Sequence, residues 1–176
     1  MRIDACDSVA VAIDYQEKLL PAMNEKDTLL KNSEILLSGL KELDVPIVFT
    51  QQYTKGLGMT ERSLMEAAGT KEYEEKISFS AKDVIAPHIQ GKKFVIICGI
   101  ESHICVLQTA IDLKEQGYQP VLVEDCLSSR TAHNKMMALE RAKQEGILLT
   151  TYESVLFELL KEAGTSKSKV IQKLIK

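Results

Sequence analysis

Nowhere in these 176 residues is there an apolar run of about 18 residues, the length a helix needs to cross a bilayer. The start, Met1-Arg-Ile-Asp-Ala-Cys-Asp7, sets acids before the first apolar run and has no signal-peptide pattern. Cysteines at 6, 98, 105 and 126 form no C-x-x-C pair and no zinc-like spacing, nor do they read as a disulfide framework. A reducing, cytoplasmic setting is therefore expected. No basic stripe alternates with aromatics, and the formal net charge is −3, so neither nucleic acid nor anionic membrane is an expected partner. No repeat, low-complexity tract or linker divides the chain. The first strand-like run is followed by Asp14-Tyr-Gln and not by Gly-x-Gly-x-x-Gly, which argues against a dinucleotide-binding protein.

What is present is a globular composition, 45% hydrophobic and 27% charged. The length suits one domain, over 1–176, with a real core. Strand-like runs recur at Val9–Ile13, Val45–Phe49, Phe94–Cys98, Pro120–Val123 and Ile147–Leu149. Helical patterns over Asp27–Leu43, Asp83–Ile89, Ser102–Gln116 and Ala132–Glu145 separate them, the last two stopping at Gly117 and Gly146. This alternation predicts an α/β fold with a parallel sheet and helices on both faces. The tail Lys167–Lys176 has helical spacing and reads as a helix docking on its own domain, or else as a dimer contact. The piece from Gln51 to Ser80 has no clean period and is long for a connection, a length that often carries function.

The most telling stretch is Phe94-Val-Ile-Ile-Cys-Gly-Ile-Glu-Ser-His-Ile-Cys105. An apolar run ends at Gly99 and helical spacing begins, which puts Cys105 in the first turn of a helix at the carboxyl end of a core strand. Open α/β sheets place their ligand sites there. The N–H groups and dipole of such a helix would favour a thiolate, and rapid alkylation below pH 7 is the expected sign of it. The alternative is that Cys105 is a small apolar filler, the reading that fits Cys98 and Cys126. Asp14 follows the first strand-like run, where it reads either as a general base for a thiol or as a loop or N-cap acid. Gln16 would then form a polar pocket wall. Lys76, in Glu74-Glu75-Lys76, gains interest only in combination with Asp14 and Cys105. His88, His103 and His133 show no metal spacing, and His103, two residues before Cys105, is expected to point away from the thiol.

The order Asp14, Lys76 and Gly99-Ile-Glu-Ser-His-Ile-Cys105-Val resembles the isochorismatase-like cysteine hydrolases, which include nicotinamidases and carbamoylsarcosine amidases. Further pieces carry the likeness along the chain and bring it nearest to the isochorismatase domain-containing proteins. They are Thr50-Gln-Gln-Tyr-Thr-Lys-Gly-Leu-Gly58, Asp125-Cys-Leu-Ser-Ser-Arg130, Thr151-Tyr-Glu-Ser-Val-Leu-Phe157 and Ile171-Gln-Lys-Leu-Ile-Lys176. The resemblance implies a three-layer αβα fold with a six-stranded parallel sheet of order 3-2-1-4-5-6. It implies Cys105 as nucleophile, Asp14 as proton acceptor and Lys76 as the group that holds both. In relatives the bond matching Ile100–Glu101 is cis, and the N–H groups matching Glu101 and Cys105 form an oxyanion hole.

Two departures narrow the reading. The metal-binding histidines of nicotinamidases are replaced here by Thr50-Gln51-Gln52-Tyr53, so neither metal nor cofactor is expected. True isochorismatases lack this cysteine, so Cys105 argues against vinyl-ether cleavage. A cysteine hydrolase of a small amide, carbamoyl or related carbonyl compound is the resulting expectation, with Gln16, Tyr53 and Phe79 around the substrate in a homo-oligomer. The alternative is a weakly active or inactive member that serves as an oligomeric scaffold.

Overall fold

The computed structural model describes residues 1–176. Its centre is the strand β1, Ser8–Ile13, in which all six residues are buried. Such a strand can be apolar on both faces only if helices cover both. The chain runs from β1 through α1 (Lys26–Glu42) to β2 (Ile47–Gln52), then through α2 (Thr54–Leu57) and α3 (Arg62–Ala68) to β3 (Glu74–Lys76). It next crosses by α4 (Lys82–Ile89) to β4 (Phe94–Ile100), on the other side of β1. A π-helical turn (Ser102–Val106) and α5 (Leu107–Glu115) lead to β5 (Gln119–Ser128), and α6 (Ala132–Gln144) leads to β6 (Leu148–Thr150). Helices α7 (Tyr152–Leu160) and α8 (Ser166–Ile175) end the chain.

The sheet has the order β3-β2-β1-β4-β5-β6, and every pairing in it is parallel. This is the six-stranded αβα architecture the resemblance implied. Strand order reverses between β1 and β4, and ligand crevices form at the carboxyl ends of such a pair.

Alternation along the strands feeds two cores. Val9, Val11, Ile13, Val95 and Ile97 face α4, α5 and α6, where Ile85, Ala110, Leu113 and Ala142 are buried. Ala10, Ala12 and Ile96 face the other way, onto Leu36, Leu37 and Leu40 of α1 and Val155 and Leu156 of α7. Helix α1 meets α7 closely at Gly39, where a β-carbon would fall 2.6 Å from Leu156 Cδ2. The tail docks on its own chain, with Ile171 of α8 fully buried in that second core. Helices α6, α7 and α8 each start at a threonine, Thr131, Thr151 and Thr165, whose hydroxyl accepts the N–H three residues on.

The structure departs from the sequence pattern in three places. The aperiodic piece from Gln51 to Ser80 holds α2, α3 and β3. Strand β3 is Glu-Glu-Lys, an edge strand with no apolar signature to read. The helix expected from Ser102 begins only at Leu107, after the π-helical turn. Single-turn π distortions often accompany functional sites.

Candidate active site

Asp14 lies one residue past β1, in a left-handed conformation (φ 53°). Its Oδ1 accepts the Thr50 hydroxyl at 2.7 Å and its Oδ2 accepts Lys76 Nζ at 2.7 Å. Both members of this ion pair have fully buried side chains. The parallel register sets Lys76 opposite Gln52. Its ammonium also donates to Gln52 Oε1 at 2.7 Å, Phe79 O at 2.9 Å and Ser78 O at 3.3 Å. A buried cation is tolerable when its donors are this fully engaged.

Strand β4 lies close against β1 at Gly99, where a β-carbon would fall 2.2 Å from Ile13 O and φ is 133°. Only glycine fits there. The next peptide bond, Ile100–Glu101, is cis. The Glu101 N–H makes no hydrogen bond within the chain, while the Glu101 carbonyl accepts Ile104 N–H at 3.0 Å and Val106 N–H at 3.3 Å. Cys105 sits in the π-helical turn and is 8% exposed. Its thiol is pushed up to about 12, chiefly by burial and further by the Asp14 carboxylate, while the Lys76 ammonium pulls it down. Asp14 and Lys76 are thus the two charged groups that act on the Cys105 thiol. The expected low-pKa thiolate is corrected: the α-helix starts two residues beyond Cys105, and burial together with the carboxylate outweighs the cation.

Other sequence-derived candidates fall out differently. Gln16 is fully buried and its amide is spent on backbone. Nε2 donates to Gln52 O at 2.9 Å and Gly58 O at 2.8 Å, and Oε1 accepts Gln52 N–H at 2.7 Å. Gln16 is thus a clamp on the segment after β2, with no free polar group to offer as a pocket wall. Tyr53 donates its N–H to Lys76 O at 2.9 Å and Phe79 receives Lys76 Nζ on its carbonyl. The two residues are 50% and 56% exposed, and Ile77 beside them is 72% exposed. His103 Nδ1 is 3.0 Å from Ser129 Oγ. No three His, Cys, Asp or Glu side chains gather where they could hold a metal ion.

Sequence reasoning gave no role to Thr50, Gln52 or Arg130, although each lies in a motif it singled out. The usable signal was the spacing of Thr50 and Gln52, two apart on one strand and so on one face. Arg130 gives its backbone N–H and its Nε to Glu101 Oε2, at 3.0 and 3.1 Å.

The sheet order and its all-parallel pairing are those of the isochorismatase fold. The sequence pattern of the Isochorismatase domain matches residues 8–154, and the chain belongs to the isochorismatase family. It is 37% identical to isochorismatase domain-containing protein 1 of Danio rerio over 96% of its own length and 61% of that protein's. The chain thus spans less than two thirds of that relative. The MAR1 ribonuclease structure from Caenorhabditis elegans superposes with a TM-score of 0.94 at 32% identity, covering 99% of this chain and 92% of that one. The YcaC gene product of Escherichia coli, described as an octameric hydrolase of unknown specificity, gives 0.90 at 24% identity, covering 99% and 90%.

Proposed function

We propose that this protein is a cysteine-dependent hydrolase of a small amide, carbamoyl or related carbonyl compound. The observation that carries the reading is a cysteine thiol under the opposed pulls of a buried carboxylate and a buried ammonium, four residues from an unbonded backbone N–H. The resting thiol is neutral. As Cys105 Sγ forms its bond to the substrate carbonyl carbon, its proton passes to Asp14. The developing oxyanion is met by the Glu101 and Cys105 N–H groups. Collapse to the thioester breaks the C–N bond, and the leaving nitrogen takes the proton from Asp14. Water then gives a proton to Asp14 and attacks the thioester; the acid leaves and the proton returns to sulfur. Lys76 holds the Asp14 carboxylate and limits its repulsion of a forming thiolate. Base assistance of this kind is worth roughly 10²–10⁴-fold and one oxyanion donor about 10²–10³-fold.

The exposed aromatics Tyr53 and Phe79 flank Lys76 and suit a small, flat or partly apolar substrate. With Ile77 they also suit burial against a second copy of the chain, in keeping with the octamer named for the Escherichia coli protein. The name ribonuclease belongs to the Caenorhabditis elegans protein; a net charge of −3 does not favour a polyanion here. Four free cysteines fit a reducing, cytoplasmic setting, and no helix is long and apolar enough to cross a membrane.

The test is a panel of small amides and carbamoyl compounds assayed with the wild type and Cys105→Ala, with a search by mass for an acyl adduct on Cys105. Turnover that survives Cys105→Ala would sink the reading.

A further inference from the structure

Three consecutive side chains, Glu101 and the first two of the turn that carries Cys105, are fastened to Ser128 at the end of β5 and the two residues after it. Ser102 Oγ donates to Ser128 O at 2.9 Å. His103 Nδ1 lies 3.0 Å from Ser129 Oγ. Glu101 Oε2 accepts both the backbone N–H and the Nε of Arg130, at 3.0 and 3.1 Å. The first two bonds explain how the turn is held. The third is an ion pair, and it raises a separate electrostatic question.

Glu101 is the residue whose N–H is unbonded and whose preceding peptide bond is cis. Its side chain is 10% exposed, so its carboxylate is poorly screened by water. An anion carried by the same residue that must stabilise a developing oxyanion works against that task, because like charges at close range repel more strongly away from water. Arg130 supplies the opposite charge. It is the one cation paired with Glu101, and its own side chain is 59% exposed. That exposure leaves room to change it without opening the core.

We propose that Arg130 is a positioning residue for the oxyanion site: it fixes the Glu101 carboxylate and offsets its charge, so that an oxyanion at the Glu101 N–H does not meet an unpaired anion on the same residue. This rests on the cysteine-hydrolase reading above, and it adds a residue outside Asp14, Lys76 and Cys105. It also separates two reactions of the same thiol. Acyl transfer builds charge on a carbonyl oxygen and needs the hole. Alkylation by iodoacetamide is a displacement at a methylene carbon: sulfur forms its bond to carbon, iodide leaves with the electron pair, and no oxyanion forms.

The experiment uses p-nitrophenyl acetate hydrolysis and iodoacetamide labelling of Cys105 at pH 9, on the full chain. Arg130→Gln is expected to lower kcat by about tenfold or more with KM and the labelling rate moved by no more than about twofold. Adding Glu101→Gln to Arg130→Gln removes the unpaired anion and keeps an acceptor for the residue-130 N–H. That double variant is expected to recover kcat to within about threefold of the wild type. A purely structural fastening would not be rescued by it. An unchanged kcat in Arg130→Gln overturns the proposal, as does a loss that Glu101→Gln fails to restore. If Cys105→Ala still hydrolyses the ester, the cysteine reading fails and takes this one with it. If Cys105→Ala is inactive and Arg130→Gln is fully active, only the role of Arg130 fails.

Discussion

Lys76 and Asp14 form a 2.7 Å ion pair in which neither side chain reaches solvent. Removing one partner strands a buried charge, which costs about 3–5 kcal/mol, whereas removing both need not. Lys76→Met is expected to lose that much in urea denaturation. Lys76→Met combined with Asp14→Asn should regain most of it, since asparagine tolerates the left-handed backbone and still accepts from Thr50. A loss below about 1 kcal/mol in the single variant would contradict so buried a pair.

The Cys105 thiol, pushed up to about 12, is a neutral group at physiological pH. Labelling by iodoacetamide should therefore be slow at pH 7 and climb about tenfold per pH unit up to about pH 11, following the thiolate fraction. A rate already level between pH 7 and 9 would instead reveal the acidic thiolate that the helix-start reading anticipates.

Cys98 is fully buried in β4 and is also pushed up to about 12, by burial first. The unfolded chain deprotonates this thiol near its ordinary value of 9.0, while the folded chain keeps the proton. Its contribution to stability is complete below pH 9 and is lost as the pH rises towards 12, on the order of 4 kcal/mol by pH 12. Urea midpoints measured from pH 8 to 11 should fall, and Cys98→Ala should flatten part of the slope. A midpoint independent of pH over that range would refute the account.

Gln16→Ala deletes three amide hydrogen bonds from a buried position and is expected to cost about 1–3 kcal/mol. Tyr53→Ala and Phe79→Ala, which change half-exposed residues, should cost less than that while shifting relative rates across a substrate panel. If the two aromatic variants lose stability and keep their relative rates, the rings belong to packing and not to substrate selection.

Legibility in the sequence followed the physics of each element. Strands β1 and β4 could be read because burial on both faces demands an unbroken apolar run, and Gly99 because it ends one. Strand β3 could not, since a three-residue edge strand of Glu-Glu-Lys buries only its last side chain and does so through charge pairing. The turn at Cys105 was seen as a helix because π and α spacings differ by one residue over so short a span. The exhaustion of the Gln16 amide on backbone was invisible because its partners, Gln52 and Gly58, lie some 40 residues away in sequence. Lys76 became legible only through resemblance; nothing local sets it apart from other basic residues.

The two outermost strands, Glu74–Lys76 and Leu148–Thr150, are three residues each. A foreign strand seeking to extend the sheet finds a ladder of only a few rungs at either margin, and at one of them the side chains of Glu74 and Glu75 repel acidic newcomers. Fibril-like growth by edge pairing is thereby discouraged. Copies of this chain that assemble must meet through side chains on helices and loops, where the fit can be specific and the stoichiometry closed.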